Sequence, residues 1–154
     1  MSDTKDSGYQ PSDEAKDLVL KHLGANAYFE KGYNKSVLLK KSEAEKRKAL
    51  ITEVEYDFQV AINHGSHYMG KAVVNFYAKE KPTAGDLFLD FKAMAVGQLT
   101  VNDEVKNAAE LFTNQRISLD CAKAGWNTVV VTYLNPYNTN RVGLHTYTDQ
   151  ADQN

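Results

Sequence analysis

From Glu53 the chain alternates: Val54, Tyr56, Phe58, Val60 and Ile62 are apolar, and Glu53, Glu55, Asp57, Gln59 and Ala61 stand between them. A period of two predicts a half-buried strand. Asn63-His64-Gly65-Ser66-His67 then reads as a turn, and Tyr68 to Ala78 as a returning strand, which makes a hairpin. Pro82 to Gly85 forms another turn, after which Leu87, Leu89 and Phe91 alternate with Asp86, Phe88, Asp90 and Lys92. Ala95 to Val101 is a fourth strand closed by Asn102-Asp103, and Arg116 to Leu119 a fifth. Between these two, Val105, Ala108, Ala109 and Phe112 predict a short helix. Asn127 to Leu134, rich in Val and Thr, reads as a sixth strand buried on both faces. Short strands with polar turns between them predict a mainly β chain, an antiparallel saddle-like β-sandwich.

Before residue 50 the pattern is helical. Ser12 is placed as an N-cap with Asp13 and Glu14 in the first turn. Ala15, Leu18, Val19, His22 and Leu23 follow at helical spacing, and Gly24 is the stop. One apolar stripe on so short a helix must dock on something. Tyr28-Phe29-Glu30-Lys31-Gly32-Tyr33 is an aromatic cluster without a regular period. Leu18, Val19, Leu23, Tyr28, Phe29 and Tyr33 are therefore the candidate partner-binding residues, set against the plainer alternative that they pack on their own domain. Ser42-Glu43-Ala44-Glu45 reads as a capping box ahead of a second short helix through Ile51. Residues 1 to 10 have no periodicity and are expected to be disordered on their own. The chain thus divides into a lead, 1–36, holding a polar tail, a short helix and the aromatic segment, and a β domain, 37–154.

Composition narrows the function classes without selecting one. In 154 residues, 18 Lys plus Arg oppose 20 Asp plus Glu for a net charge of -2, too weak a field to argue for nucleic acid or an anionic membrane. The charges shift along the chain, ten basic against eight acidic residues up to position 50 and eight against twelve after it. The single cysteine, Cys121, excludes an internal disulfide and a Cys-rich zinc module, and burial is its expected place. No apolar run is long enough to span a bilayer as a helix, and the start is not a secretory signal, so an intracellular, cytoplasmic location is expected. Asn34-Lys35-Ser36 matches a glycosylation acceptor that is idle without a secretory route.

Candidate chemistry is thin. No H-E-x-x-H, G-x-G-x-x-G, Walker-type loop, G-x-S-x-G or C-x-x-C occurs. His64 and His67 flank a turn as H-G-S-H, and two imidazoles at that spacing could touch one metal, but no third ligand stands nearby. His22 reads as a packed or half-exposed member of its helix stripe. No catalytic residue, no metal ligand and no cofactor is assigned.

Several phrases in order resemble one family. Leu38 to Ala49, Val54-Glu55-Tyr56-Asp57-Phe58, Tyr68-Met69-Gly70-Lys71, Leu87-Phe88-Leu89-Asp90-Phe91 and Leu99-Thr100-Val101-Asn102 are followed by Asn135-Pro136-Tyr137 and Gly143-Leu144-His145-Thr146-Tyr147-Thr148-Asp149. The stretch from Val37 to Asp149 resembles the amino-terminal β domain of the aminopeptidase N and leukotriene hydrolase family of zinc metallopeptidases. That resemblance implies a saddle-like β domain packed on a thermolysin-like catalytic domain. It also implies that the H-E-x-x-H helix, the downstream zinc-binding glutamate and the G-x-M-E-N strand would lie beyond Asn154, so none of their roles transfers here; His145 in the G-L-H phrase is read as structural.

Two functions follow as expectations. In one the chain is a non-catalytic interaction or structural subunit, bound to other protein chains of a larger assembly, with no nucleic acid and no membrane insertion. In the other it is the amino-terminal portion of a zinc metalloaminopeptidase and supports a catalytic domain found elsewhere. An unrelated sandwich that binds a small ligand is the third possibility. A sheet cut short leaves an unpaired edge, and for the subunit reading strand addition by a partner is the expected remedy.

Overall fold

In the computed structural model, which describes residues 8–62 and 65–151, helix α1 (Asp13–His22) begins where Ser12 caps it, its Oγ accepting from the Ala15 N–H at 3.2 Å. It ends at Gly24, whose φ of 94° lets its N–H reach back to the Val19 carbonyl at 3.0 Å. β1 (Tyr28–Phe29) follows, then α2 (Lys41–Leu50), β2 (Ile51–Ile62), β3 (His67–Ala78), β4 (Phe88–Asp90), β5 (Ala95–Val101), β6 (Glu104–Val105), α3 (Ala108–Leu111), β7 (Phe112–Thr113), β8 (Arg116–Ser118) and β9 (Gly125–Pro136).

The strands form two antiparallel sheets. The larger runs β1-β5-β9-β3-β2 with β6 beside β5, and the smaller runs β4-β8-β7. The core lies between them: Ala72, Val74, Phe76, Leu99, Val129 and Val131 of the large sheet meet Leu87, Phe112, Ile117 and Leu119. A second cluster sits at one end of the large sheet, where Ala15, Val19 and Tyr33 pack with Met94, Ala95 and Leu134. The chain is mainly β with a short helical extension, as its periodicity implies.

Four local expectations need correction. The second helix starts earlier than Ser42: Lys40 is the cap residue, and the Glu43 carboxylate accepts its N–H at 2.9 Å, so the reciprocal acid is Glu43 rather than Glu45. Arg116 holds that same carboxylate and fixes the start. β9 is fully buried on one face only over most of its length; Thr128, Val130 and Thr132 are half-buried, because α1 and its neighbours cover the other face just at the Leu134 end. The tail is anchored at Tyr9, whose N–H bonds the Lys31 carbonyl at 3.0 Å and whose ring lies 4.9 Å from that of Tyr33. Cys121 is exposed, in the turn after β8 where Leu119 and Ala122 take the buried places. The Asn63-His64 part of the hairpin turn and residues 1 to 7 lie outside the described residues.

Candidate functional site

β2 is the strand whose burial departs furthest from its sequence. It pairs with β3 over its whole length, from Ile51 opposite Ala78 to Ile62 opposite Tyr68, with one irregularity between Ile51 and Glu53. Its other edge has no strand partner among the described residues. The alternation predicts a half-buried strand, yet both faces are open: Val54 is 44% exposed, Tyr56 57%, Phe58 60%, Val60 45% and Ile62 71%. Directly across from them Phe76, Val74 and Ala72 are buried on the same face. The small sheet covers that face over β3 and stops short of β2, which leaves an apolar stripe beside a bare edge.

The rings of Tyr56 and Phe58 stack at 5.6 Å with an interplanar angle of 10°. Two large rings in mutual contact are partly desolvated by each other, but most of their apolar area still faces water. Where the stripe meets the small sheet, a groove of about 420 Å³ is lined by Val54, Tyr56, Val74, Phe88 and Leu89, with Arg47 and Lys48 at its helical end.

That helical end is α2, which contains no buried residue and is held by charge. Arg116 grips Glu43 with two nitrogens, at 2.9 and 3.1 Å, and holds that carboxyl down at about 2. Arg47 bonds Asp90 at 2.8 Å and Lys46 bonds Asp86 at 2.9 Å. Both guanidinium groups flank the Phe88 ring, Arg116 at 4.0 Å and Arg47 at 5.1 Å. The network ties α2 to the small sheet and so fixes where β2 begins.

On the opposite face of β2, Glu53, Glu55 and Asp57 stand against Tyr77, Asn75 and Val73 of β3, which carry no charge. None of the three carboxylates makes a side-chain hydrogen bond or ion pair with a described residue; among the described residues the ion pairs gather around α2 and near Lys106 and Lys16.

The six residues singled out from the sequence lie on the chain's own domain. Val19 and Tyr33 are buried, Leu18, Leu23 and Phe29 are half-buried against the same second cluster, and Tyr28 packs edge-on to Phe112 at 6.4 Å. A buried carboxylate helps to hold them: Glu30 accepts from the Gly32 N–H at 2.7 Å, and the Gln115 side-chain amide donates to the carbonyls of Gly32, Tyr33 and Lys35. Sequence reasoning missed the β2 stripe as a site because alternation looks the same whether or not a second layer covers it. The available signal was the unpaired-edge argument, which points to the sheet margin without naming the strand.

His67 is half-buried, its Nδ1 2.8 Å from Ser66 Oγ, and burial pushes its pKa down; His64 lies outside the described residues. His22 and His145 are exposed, the latter beside an isolated bridge to Asn138. Among the described residues no three His, Cys, Asp or Glu gather closely enough to hold a metal ion, and no helix is long and apolar enough to cross a membrane. What the geometry offers is a surface: unpaired backbone groups along an edge, an apolar stripe on one side and carboxylates on the other.

Comparison with known proteins finds a sequence similarity. Over 117 residues, 74% of the chain, it is 29% identical to Aminopeptidase N of Streptomyces lividans. The chain is similar to an aminopeptidase N. The matched stretch is 13% of that protein, so the chain spans about an eighth of the relative's length. No family model matches.

Proposed function

We propose that this chain is a non-catalytic interaction or structural subunit built on an aminopeptidase-like β domain, held in a larger protein assembly through β2. The observation that carries the reading is the uncovered stripe from Val54 to Ile62 on an unpaired edge. A long edge with one apolar face and neither Lys nor Pro is a template for association with a complementary strand. Phe58→Glu tests it, because Phe58 is exposed and its replacement leaves the core untouched. In native gel filtration of the endogenous protein, wild type runs in a large assembly and the variant runs free of it as an unassociated chain. Equal incorporation of the two would overturn the reading.

The similarity to Aminopeptidase N supports a second reading, in which the domain is the amino-terminal portion of a zinc metalloaminopeptidase and its bare face rests on the remainder of that enzyme. A companion carrying H-E-x-x-H and bound zinc, recovered by gentle purification and intact-mass analysis, distinguishes this reading from the first.

A further inference from the structure

Resting on the subunit reading, we infer that the occupant of β2 is an extended strand of a partner chain that alternates apolar side chains with lysine or arginine. The two faces of β2 set this requirement separately. On the inner face the stripe of Val54, Tyr56, Phe58, Val60 and Ile62 lies beside the buried row of β3, and apolar side chains of an added strand pair across from it and cover its flank. On the outer face Glu53, Glu55 and Asp57 project at successive same-face positions with uncharged partners on β3. The cations beside this row are Lys71, opposite Gln59 and diagonal to Asp57, and Lys79, two positions beyond Tyr77, and neither makes an ion pair with these carboxylates. A strand added to the free edge places its own outward residues directly across from these carboxylates, where opposite charge is favourable and like charge is not.

A second copy meets the apolar requirement and fails the charge requirement. Antiparallel self-pairing centred on Phe58 sets Asp57 opposite Gln59 but diagonal to Asp57 of the other copy. Centring on Asp57 sets the two aspartates face to face. Either register collects six carboxylates on one sheet face with no cation among the paired positions. A basic strand on one copy meets all three carboxylates of β2 with opposite charge, and three cross-strand pairs together amount to about a tenfold preference over an uncharged or acidic strand.

The probes are two nine-residue peptides, one alternating Val with Lys and one alternating Val with Glu, titrated by fluorescence anisotropy against the full chain at low salt. The expected result is that the lysine peptide binds about tenfold more tightly, slows amide exchange between residues 53 and 62, and loses its preference in the Glu53→Gln, Glu55→Gln, Asp57→Asn triple variant. All three changes are on exposed side chains, so the fold is retained. Equal binding of both peptides, or a preference that survives the triple change, overturns the inference. So does sedimentation equilibrium showing a dimer whose β2 amides are protected, with neither peptide bound; that outcome makes the second copy the occupant. If Phe58→Glu is lost from the native assembly while no charge preference is found, the subunit reading stands and only the basic character of the partner falls.

Discussion

β2 and β3 are adjacent strands of twelve residues, paired along their length, with the same alternation of apolar positions. One is sealed and the other is bare. Ala72, Val74 and Phe76 of β3 are buried under the small sheet, while the residues opposite them on β2, Phe58, Tyr56 and Val54, face water; Ile51, opposite Ala78, is partly buried against the core. The difference teaches that periodicity reports which side of a strand is apolar, whereas coverage depends on where another layer of the chain ends. Here the small sheet, three short strands ending at Ser118, is too narrow to reach the margin.

The sharpest way to break this comparison is to truncate one ring from each region and measure urea unfolding of the isolated chain. Phe112 is fully buried and touches Tyr28 and Phe91, at 6.4 and 5.8 Å between centroids. Phe112→Ala is expected to cost roughly 3–5 kcal/mol through lost transfer energy and the cavity left behind. Phe58→Ala is expected to cost no more than about 0.5 kcal/mol, as exposed substitutions do. A loss at Phe58 approaching that at Phe112 would mean that β2 is covered in the isolated chain, by a second copy or by another part of the molecule.

A smaller effect is expected where the sealed region meets the open one. Gly70 faces Tyr133 across the β3 to β9 pairing, and a Cβ there would fall 2.3 Å from the ring's Cζ and Oη. Tyr133 is packed by Phe91 and Tyr68, at 5.3 and 6.4 Å, so the ring has little room to withdraw. Gly70→Ala should therefore destabilise by about 1–3 kcal/mol, the usual cost of overfilling a packed site. Thermal unfolding monitored by near-UV dichroism reads both the loss and the disturbed ring; an unchanged melting curve would show that Tyr133 yields freely.

Much of this architecture was legible because it rests on local signals. Ser12 and Gly24 bound the first helix through hydrogen bonds made within a few residues, and the hairpin announces itself by a change of period on both sides of a turn. The Asn102-Asp103 turn was legible too, and both residues adopt positive φ, 52° and 65°, as tight hairpin turns demand. What could not be read depends on distant parts of the chain. β1, β6 and β7 are two residues long and exist because a neighbour strand offers them a partner. Cys121 lies outside the core because the turn gives the inward places to Leu119 and Ala122. The aromatic lead needs a surface, and its described residues pack on the chain's own clusters. Its locking residues, Glu30 and Gln115, carry no local signal because they lie 85 positions apart. The site itself follows the same rule, since no property of residues 51–62 states that the covering sheet ends before reaching them.

The smallest effect concerns α2, the element that comes closest to sheltering β2. It contributes Ala44, Arg47 and Lys48 to the groove beside Val54 and Tyr56, and it is held by ion pairs with Leu50 as its partly buried apolar contact to the core. Glu43 is the group to titrate. Arg116 lowers its pKa from 4.5 to about 2 in the folded chain, so the folded state prefers the ionised carboxylate. The sign follows from linkage: the contribution is complete above about 4.5, where the acid is ionised folded or unfolded, and it fades as pH falls toward about 2. Acidification through that window should loosen α2 before the core melts, seen as faster amide exchange at residues 41–50 while β3 and β9 remain protected. Glu43→Gln should show the faster exchange already at neutral pH and a shallower further rise in acid. The pair is solvent-accessible, so added salt should narrow the difference between the two proteins. If wild type and Glu43→Gln respond to acid alike, the docking of α2 rests on the Arg47 and Lys46 pairs, and the groove beside β2 is framed by those two alone.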